Sequence, residues 1–215
     1  MPAPAEIWLI AGTATEVGKT WVATGVARSL RAGGACVAAR KPAQSFDADD
    51  AARGATDADL LAAATGEPVE VVCPRHRWYE VAMAPPMAAA ALGRPPFTVA
   101  DLVDELRWPD GVDVGLVETA GGVRSPIADD GDTVDLARAL HPDRVVLVAD
   151  AGLGTINAVR SAVDALASHA VVVVLNRYDA GDAVHVANRR WLVERDGLDV
   201  AVDVGALALA VTRRA

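Results

Sequence analysis

The chain predicts an α/β fold, a mostly parallel β-sheet flanked by helices, and three observations point there. Short, nearly continuously apolar runs alternate with Ala-rich stretches of helical length, the order that βαβ units produce. The apolar runs lack the in-out alternation of a half-exposed sheet, as expected of strands covered on both faces. A length of 215 residues, 52% hydrophobic and 23% charged, suffices for one well-buried domain, taken as residues 1–215.

In chain order, the strands are EIWLIA (6–11), ACVAAR (35–40), VGLVE (114–118), RVVLVA (144–149), AVVVVL (170–175) and, least regular, DVAVDV (199–204). Helices are expected at about Trp21 to Ala32, Asp57 to Thr65, Met87 to Gly93, Thr98 to Leu106, Thr133 to Leu140, Thr155 to Ser168 and Ala183 to Arg195. Thr98 followed by Asp101, just before the apolar Val99 and Leu102 face, has the form of a capping box. The Pro-rich stretch from Arg75 to Pro96 reads as a loop region holding one helix.

Composition excludes several function classes. Twenty basic against twenty-nine acidic residues give a net charge of -9, with no basic stripe to track a nucleic acid backbone. The longest apolar runs fall far short of the ~20 residues of a membrane helix, so no bilayer span is expected. The opening MPAPAEIWLIAG has no basic flank and runs into a Gly-rich turn, which reads as a first strand and not a signal peptide. Two distant cysteines, Cys36 and Cys73, suggest neither a disulfide framework nor a zinc site and fit a reducing cytoplasm. His76, His141, His169 and His185 show no ligand spacing.

The motif with most chemical content is GTATEVGKT (12–20), directly after a strand and before a helix. Backbone N–H groups and the helix N-terminus can there converge on an oligophosphate, with Lys19 on its outer oxygens and the Thr20 hydroxyl on Mg2+. The spacing departs from GxxxxGK[ST], whose first Gly would fall at position 13, occupied by Thr13. This reads as a phosphate-loop NTPase type of fold with ATP or GTP as ligand. The loop residues Thr15, Glu16, Val17, Gly18, Lys19 and Thr20, with the adjoining Trp21, are the candidate nucleotide contacts.

Other candidates sit at strand ends, where open α/β sheets bind ligands. Glu118 ends VGLVE and could partner Thr20 on Mg2+; Asp150, ending the next strand, competes for that role, while Gly121 and Gly122 favour Glu118 by allowing close phosphate approach. Eighteen of the twenty basic residues are Arg, which makes the two lysines, Lys19 and Lys41, conspicuous. Lys41 follows a strand and could hold phosphate or an anionic substrate, since a compact ammonium fits where a guanidinium fork does not. Asn176 could meet a nucleobase edge or simply be a turn residue.

Together these residues resemble the dethiobiotin synthetase family. GTATEVGKT is similar to its phosphate loop, including the early Gly; KPAQS (41–45) resembles its KPV stretch with a hydroxyl four positions after Lys. TDADLL (56–61), VETAGG (117–122), LGTIN (153–157) and VLN (174–176) are similar to further family blocks, in the same order over residues 6 to about 177. Ala14, Phe46, Thr119 and Arg177 depart from the family's usual residues, and DVGALAL (203–209) stands where the family has a Gly- and Pro-containing loop over the base. The resemblance implies an ATP- and Mg2+-dependent ring closure in which 7,8-diaminononanoate and CO2 form a carbamate that ATP phosphorylates. It implies a metal held by Thr20, Asp57 and Glu118, with Asp57 chosen over Asp59 on the TDADLL alignment alone. It further implies catalytic roles for Lys19 and Lys41, a substrate hydrogen bond from Ser45, and a homodimer in which Asn157 meets the carboxylate tail of the diamine bound to the neighbouring subunit.

Overall fold

A computed structural model of the chain describes residues 3–47, 49, 55–205 and 207. Its centre is a six-stranded sheet in the order β10-β9-β8-β1-β5-β2, every neighbouring pair parallel. The strands are β1 (Glu6–Gly12), β2 (Val37–Arg40), β5 (Val114–Glu118), β8 (Arg144–Asp150), β9 (Val171–Asn176) and β10 (Val200–Ala201). Because all run the same way, their carboxyl ends share one edge, and the crossovers can only be helices or long loops.

Period-two geometry explains why the strands read as unbroken apolar runs. Leu9 and Ala11 of β1 face one core, shared with Val145, Leu147 and Ala149 of β8; Trp8 and Ile10 face the other, shared with Val146 and Val148. Both sides of each strand are covered, so both parities are apolar. Helix α1 (Lys19–Ala32) lies on the second face through Val22, Ala23, Val26, Ala27 and Leu30, one stripe of a 3.6-residue repeat. Helix α2 (Asp57–Thr65) packs beside it, opened by a capping box between Thr56 and Asp59 and closed by Gly66 at φ 77°. On the first face lie α6 (Thr133–Leu140), α7 (Thr155–Ala165) and α8 (Ala183–Glu194), contributing Leu136, Val159 and Leu192.

Several boundaries differ from the sequence expectation, each for a local reason. Helix α1 begins at Lys19, two residues early, because the left-handed Gly18 ends the loop there. The Pro-rich stretch contains a 3-10 turn (Arg75–Arg77) and helix α4 (Pro85–Ala91), which starts at a proline pair instead of Met87, since proline suits the first helical turn. Helix α5 (Val99–Asp104) has the expected Thr98–Asp101 capping box, and α7 stops at Ala165, short of Ser168. The second strand begins at Val37 and the last spans only Val200–Ala201. Unforeseen were α3 (Val69–Val72), the parallel pair β3 (Gln44–Ser45) with β4 (Trp78–Tyr79), and the antiparallel pair β6 (Pro126–Ala128) with β7 (Gly131–Asp132). The segment DVGALAL lies in part outside the described residues. Among the described residues no helix is long and apolar enough to cross a membrane.

Gly115 of β5 gives a test of this packing. A Cβ there would sit 2.7 Å from both Pro4 Cγ and the Trp108 ring, two rigid neighbours that cannot swing aside. Gly115→Ala is therefore expected to destabilise the fold by about 1–3 kcal/mol, measured by denaturant unfolding.

Candidate functional site

A cavity of about 840 Å³ opens at the carboxyl edge of the sheet. One wall is the phosphate loop between β1 and α1, another the turn after β5, and a third β3 with the Ala82–Pro85 segment. Glycines let the first two walls touch. A Cβ on Gly122 would stand 3.0 Å from the Thr13 carbonyl, and Gly121 takes φ 68°, with the Ser125 hydroxyl accepting from the Gly122 N–H at 3.0 Å. Gly18 caps α1 in the left-handed conformation with no side-chain cap and no acid in the helix's first turn. The N–H groups that open the helix are thus left for a ligand, an arrangement suited to an anion.

At the floor of this cavity the lining side chains of Thr20, Lys41 and Asp57 meet the buried Glu118. The Thr20 hydroxyl lies 2.7 Å from Asp57 Oδ1 and 2.8 Å from Glu118 Oε1. Lys41 Nζ lies 2.7 Å from Asp57 Oδ2, 2.7 Å from Glu118 Oε1 and 3.2 Å from the Thr119 carbonyl. Lys19 curls over the loop and donates to the Ala14 carbonyl at 3.2 Å. Three long-range elements deliver these groups: Lys41 directly follows β2, β5 ends at Glu118, and α2 starts at Asp57. Gln44 fixes that last start, its Oε1 accepting from the Ala58 N–H at 3.1 Å.

Lys41 and Glu118 are each 1% exposed. Burial alone would lower the Lys41 pKa, but the charges and hydrogen bonds of Asp57 and Glu118 outweigh it and raise it above the ordinary lysine value. Lys19 goes the other way, lowered by burial and by the like charge of Lys41. Burial raises Glu118, against the pull of Lys41. Burial also pushes Asp57 upward, yet Lys41 and the Thr20 hydroxyl hold it below the usual carboxylate range. Two positive and two negative groups so balance, as buried charges require.

The oxygens of Thr20, Asp57 and Glu118 form a hard donor set of the kind Mg2+ takes alongside phosphate and water. A single hydroxyl proton cannot serve both carboxylates at once, and Glu118 Oε2 is buried without any partner. Those donors therefore fit a small divalent cation. Among the described residues no group of three or more His, Cys, Asp or Glu could hold a metal, which leaves this mixed set as the candidate.

Other expected residues fall as follows. Thr15, Glu16, Gly18 and Gly121 line the cavity, as does Ser45, whose hydroxyl donates to the Met83 carbonyl. Val17 is buried behind the loop, and Trp21 is 62% exposed on α1. Asn176 is buried and gives its Nδ2 to the Val17 carbonyl at 2.9 Å. Asn157 sits exposed in the first turn of α7, away from the cavity lining. Asp59 is spent on its capping box, and Asp150 on the Gly152 N–H and on Arg177, so neither meets Thr20. Sequence reasoning missed Gln44, Met83 and Ser125 as cavity residues; a two-residue strand and a turn serine carry no pattern that would single them out. Cys73 is buried, and burial pushes its thiol up to about 12, away from the thiolate form.

Comparison with known proteins adds to this geometry. A family model described as an AAA domain matches residues 7–206. The ATP-dependent dethiobiotin synthetase of Caulobacter vibrioides is 39% identical over 181 residues, covering 80% of this chain and 81% of its own. That of Haloferax mediterranei is 37% identical over 198 residues, covering 89% and 80%. Among solved structures, chloroplast FtsY from Physcomitrella patens superimposes with a TM-score of 0.54 at 17% identity, over 95% of this chain and 61% of that one, a likeness of fold alone. Identity at this level across four fifths of both partners, in a chain with this loop and this fold, is decisive: the chain belongs to the ATP-dependent dethiobiotin synthetase family.

Proposed function

We propose that the chain closes 7,8-diaminononanoate and CO2 to dethiobiotin at the expense of ATP, a step of biotin biosynthesis, with Mg2+ as metal, as a cytoplasmic homodimer. The observation that carries this reading is that one cavity holds a phosphate loop, a two-carboxylate oxygen cluster and a second buried lysine, in a chain of this family.

The chemistry asks for charge control more than for a nucleophilic side chain. One amine of the substrate attacks CO2 and loses a proton, giving a carbamate anion. A carbamate oxygen attacks the γ-phosphorus, releasing ADP, and the second amine then attacks the carbamoyl carbon, expels phosphate and closes the ring. Lys19 and the open helix N-terminus would hold the phosphate oxygens, and Lys41 would hold the carbamate beside them. Mg2+ on Thr20, Asp57 and Glu118 would supply positive charge against the transferring phosphoryl group. Ser45 would hydrogen-bond the substrate, and Phe46 and Met83 offer apolar surface to its alkyl chain. Asn157, exposed and outside the cavity lining, would meet the carboxylate tail of a substrate bound to a second copy of the chain, the dimer that the family resemblance implies.

ADP release by the purified protein with ATP, Mg2+ and bicarbonate is expected only when the diamine is added, with the product carrying the mass of dethiobiotin. Hydrolysis indifferent to the diamine would contradict the reading. Lys41→Ala is expected to keep nucleotide binding while ring closure falls ~100-fold or more, whereas Lys19→Ala loses both. Calorimetric affinities for ATP check the division, and an equal loss in the two variants would count against it. Lys19→Arg is expected to fail like the alanine variant, because the guanidinium fork is too broad for the loop.

A further inference from the structure

Two consecutive side chains at the end of β9 reach two consecutive carbonyls of the phosphate loop. Asn176 Nδ2 donates to the Val17 carbonyl at 2.9 Å, and Arg177 Nη2 donates to the Glu16 carbonyl at 2.8 Å. The other arm of Arg177, Nη1, lies 3.1 Å from Asp150 Oδ2. Asp150 is fixed in turn, since its Oδ1 accepts from the Gly152 N–H at 2.8 Å. One guanidinium thus links the loop to the ends of both β8 and β9.

The backbone marks the same spot. Glu16 at φ 59° and Arg177 at φ 58° are both left-handed without being glycine, a conformation that costs energy and persists only where surroundings impose it. Among the described residues the one other such case, His141, closes helix α6, where a left-handed residue is ordinary. The two strained residues at the site are joined by a single hydrogen bond.

Peptide geometry says what this accomplishes. In a trans peptide the C=O and the following N–H point in opposite directions. Drawing the carbonyls of Glu16 and Val17 toward β9 therefore turns the N–H groups of Val17 and Gly18 the other way, into the loop. The approach is close enough to demand glycine at 18, where a Cβ would come within 2.1 Å of Asn176 Nδ2.

We propose that Arg177 is a positioning residue that braces the phosphate loop in its phosphate-binding conformation, with Asp150 its anchor and the Asn176 bond to Val17 beside it. The proposal rests on reading the loop as the ATP site. It assigns Arg177 to the loop backbone, and so to the phosphates and not to the nucleobase, while Asn176 spends only its Nδ2 on the loop.

Calorimetric titration of the full chain with Mg2+ separates the two, using ATP and inorganic tripolyphosphate as ligands. Arg177→Ala is expected to weaken both by the same factor, about tenfold for one lost charge-assisted hydrogen bond. Arg177→Lys should recover most of the loss. Asp150→Asn should show a smaller loss for both, and serves if the alanine variant folds poorly. The thermal midpoint of Arg177→Ala should stay near that of the parent, because the Arg177–Asp150 pair is open to water and adds little stability. Weakened ATP with unchanged tripolyphosphate would overturn the brace in favour of a base contact, and no change in either ligand would overturn it outright. A parent protein that binds neither ligand would overturn the ATP-site reading itself, a result the variants cannot mimic.

Discussion

An ammonium as enclosed as that of Lys41 is compatible with folding only because Glu118 and Asp57 stand 2.7 Å from it. The pairing is mutual, for Glu118 is as deeply buried and its charge at the end of a central strand is offset by Lys41. Much of the architecture serves that meeting. The crossover that takes β2 past β5 to the sheet edge brings Lys41 beside Glu118, and the Gln44 bond to the start of α2 sets Asp57 opposite both.

This arrangement also accounts for how one site can separate two tasks. In the proposed reading the charge of Lys19, disfavoured by burial and by Lys41, would be offset by an incoming polyphosphate. Lys41 is paired with carboxylates that a divalent cation would compete for, which in the proposed reading would leave its ammonium to an anionic substrate. Glycines at 18, 121 and 122 give the backbones the room to close around these charges.

Much of the fold was legible because burial on both faces writes itself into sequence as unbroken apolar strands, and because GKT between a strand and a helix has few other meanings. The cluster was legible in its members and not in its contacts: Thr20, Lys41 and Glu118 each sit at a recognisable element end, yet nothing local separates Asp57 from Asp59, which a capping box does in space. Asp150 competed with Glu118 from its strand end, with Gly121 and Gly122 favouring Glu118, and in space Asp150 is taken by Arg177 and the Gly152 N–H. The β3–β4 pair could not be read at all, since two-residue strands joined across more than thirty residues leave no periodic trace. The Asn176 contact is hidden for the same reason, its partner Val17 lying 159 positions away.

The central claim, that Thr20, Asp57 and Glu118 make a cation site beside a phosphate loop, is tested most directly by a crystal structure with a non-hydrolysable ATP analogue and Mn2+. The account predicts one anomalous peak within bonding distance of the Thr20 hydroxyl and both carboxylates, with Lys41 turned from Glu118 toward the cavity. A peak at Asp150, or a nucleotide whose phosphates lie away from Lys19, would contradict it.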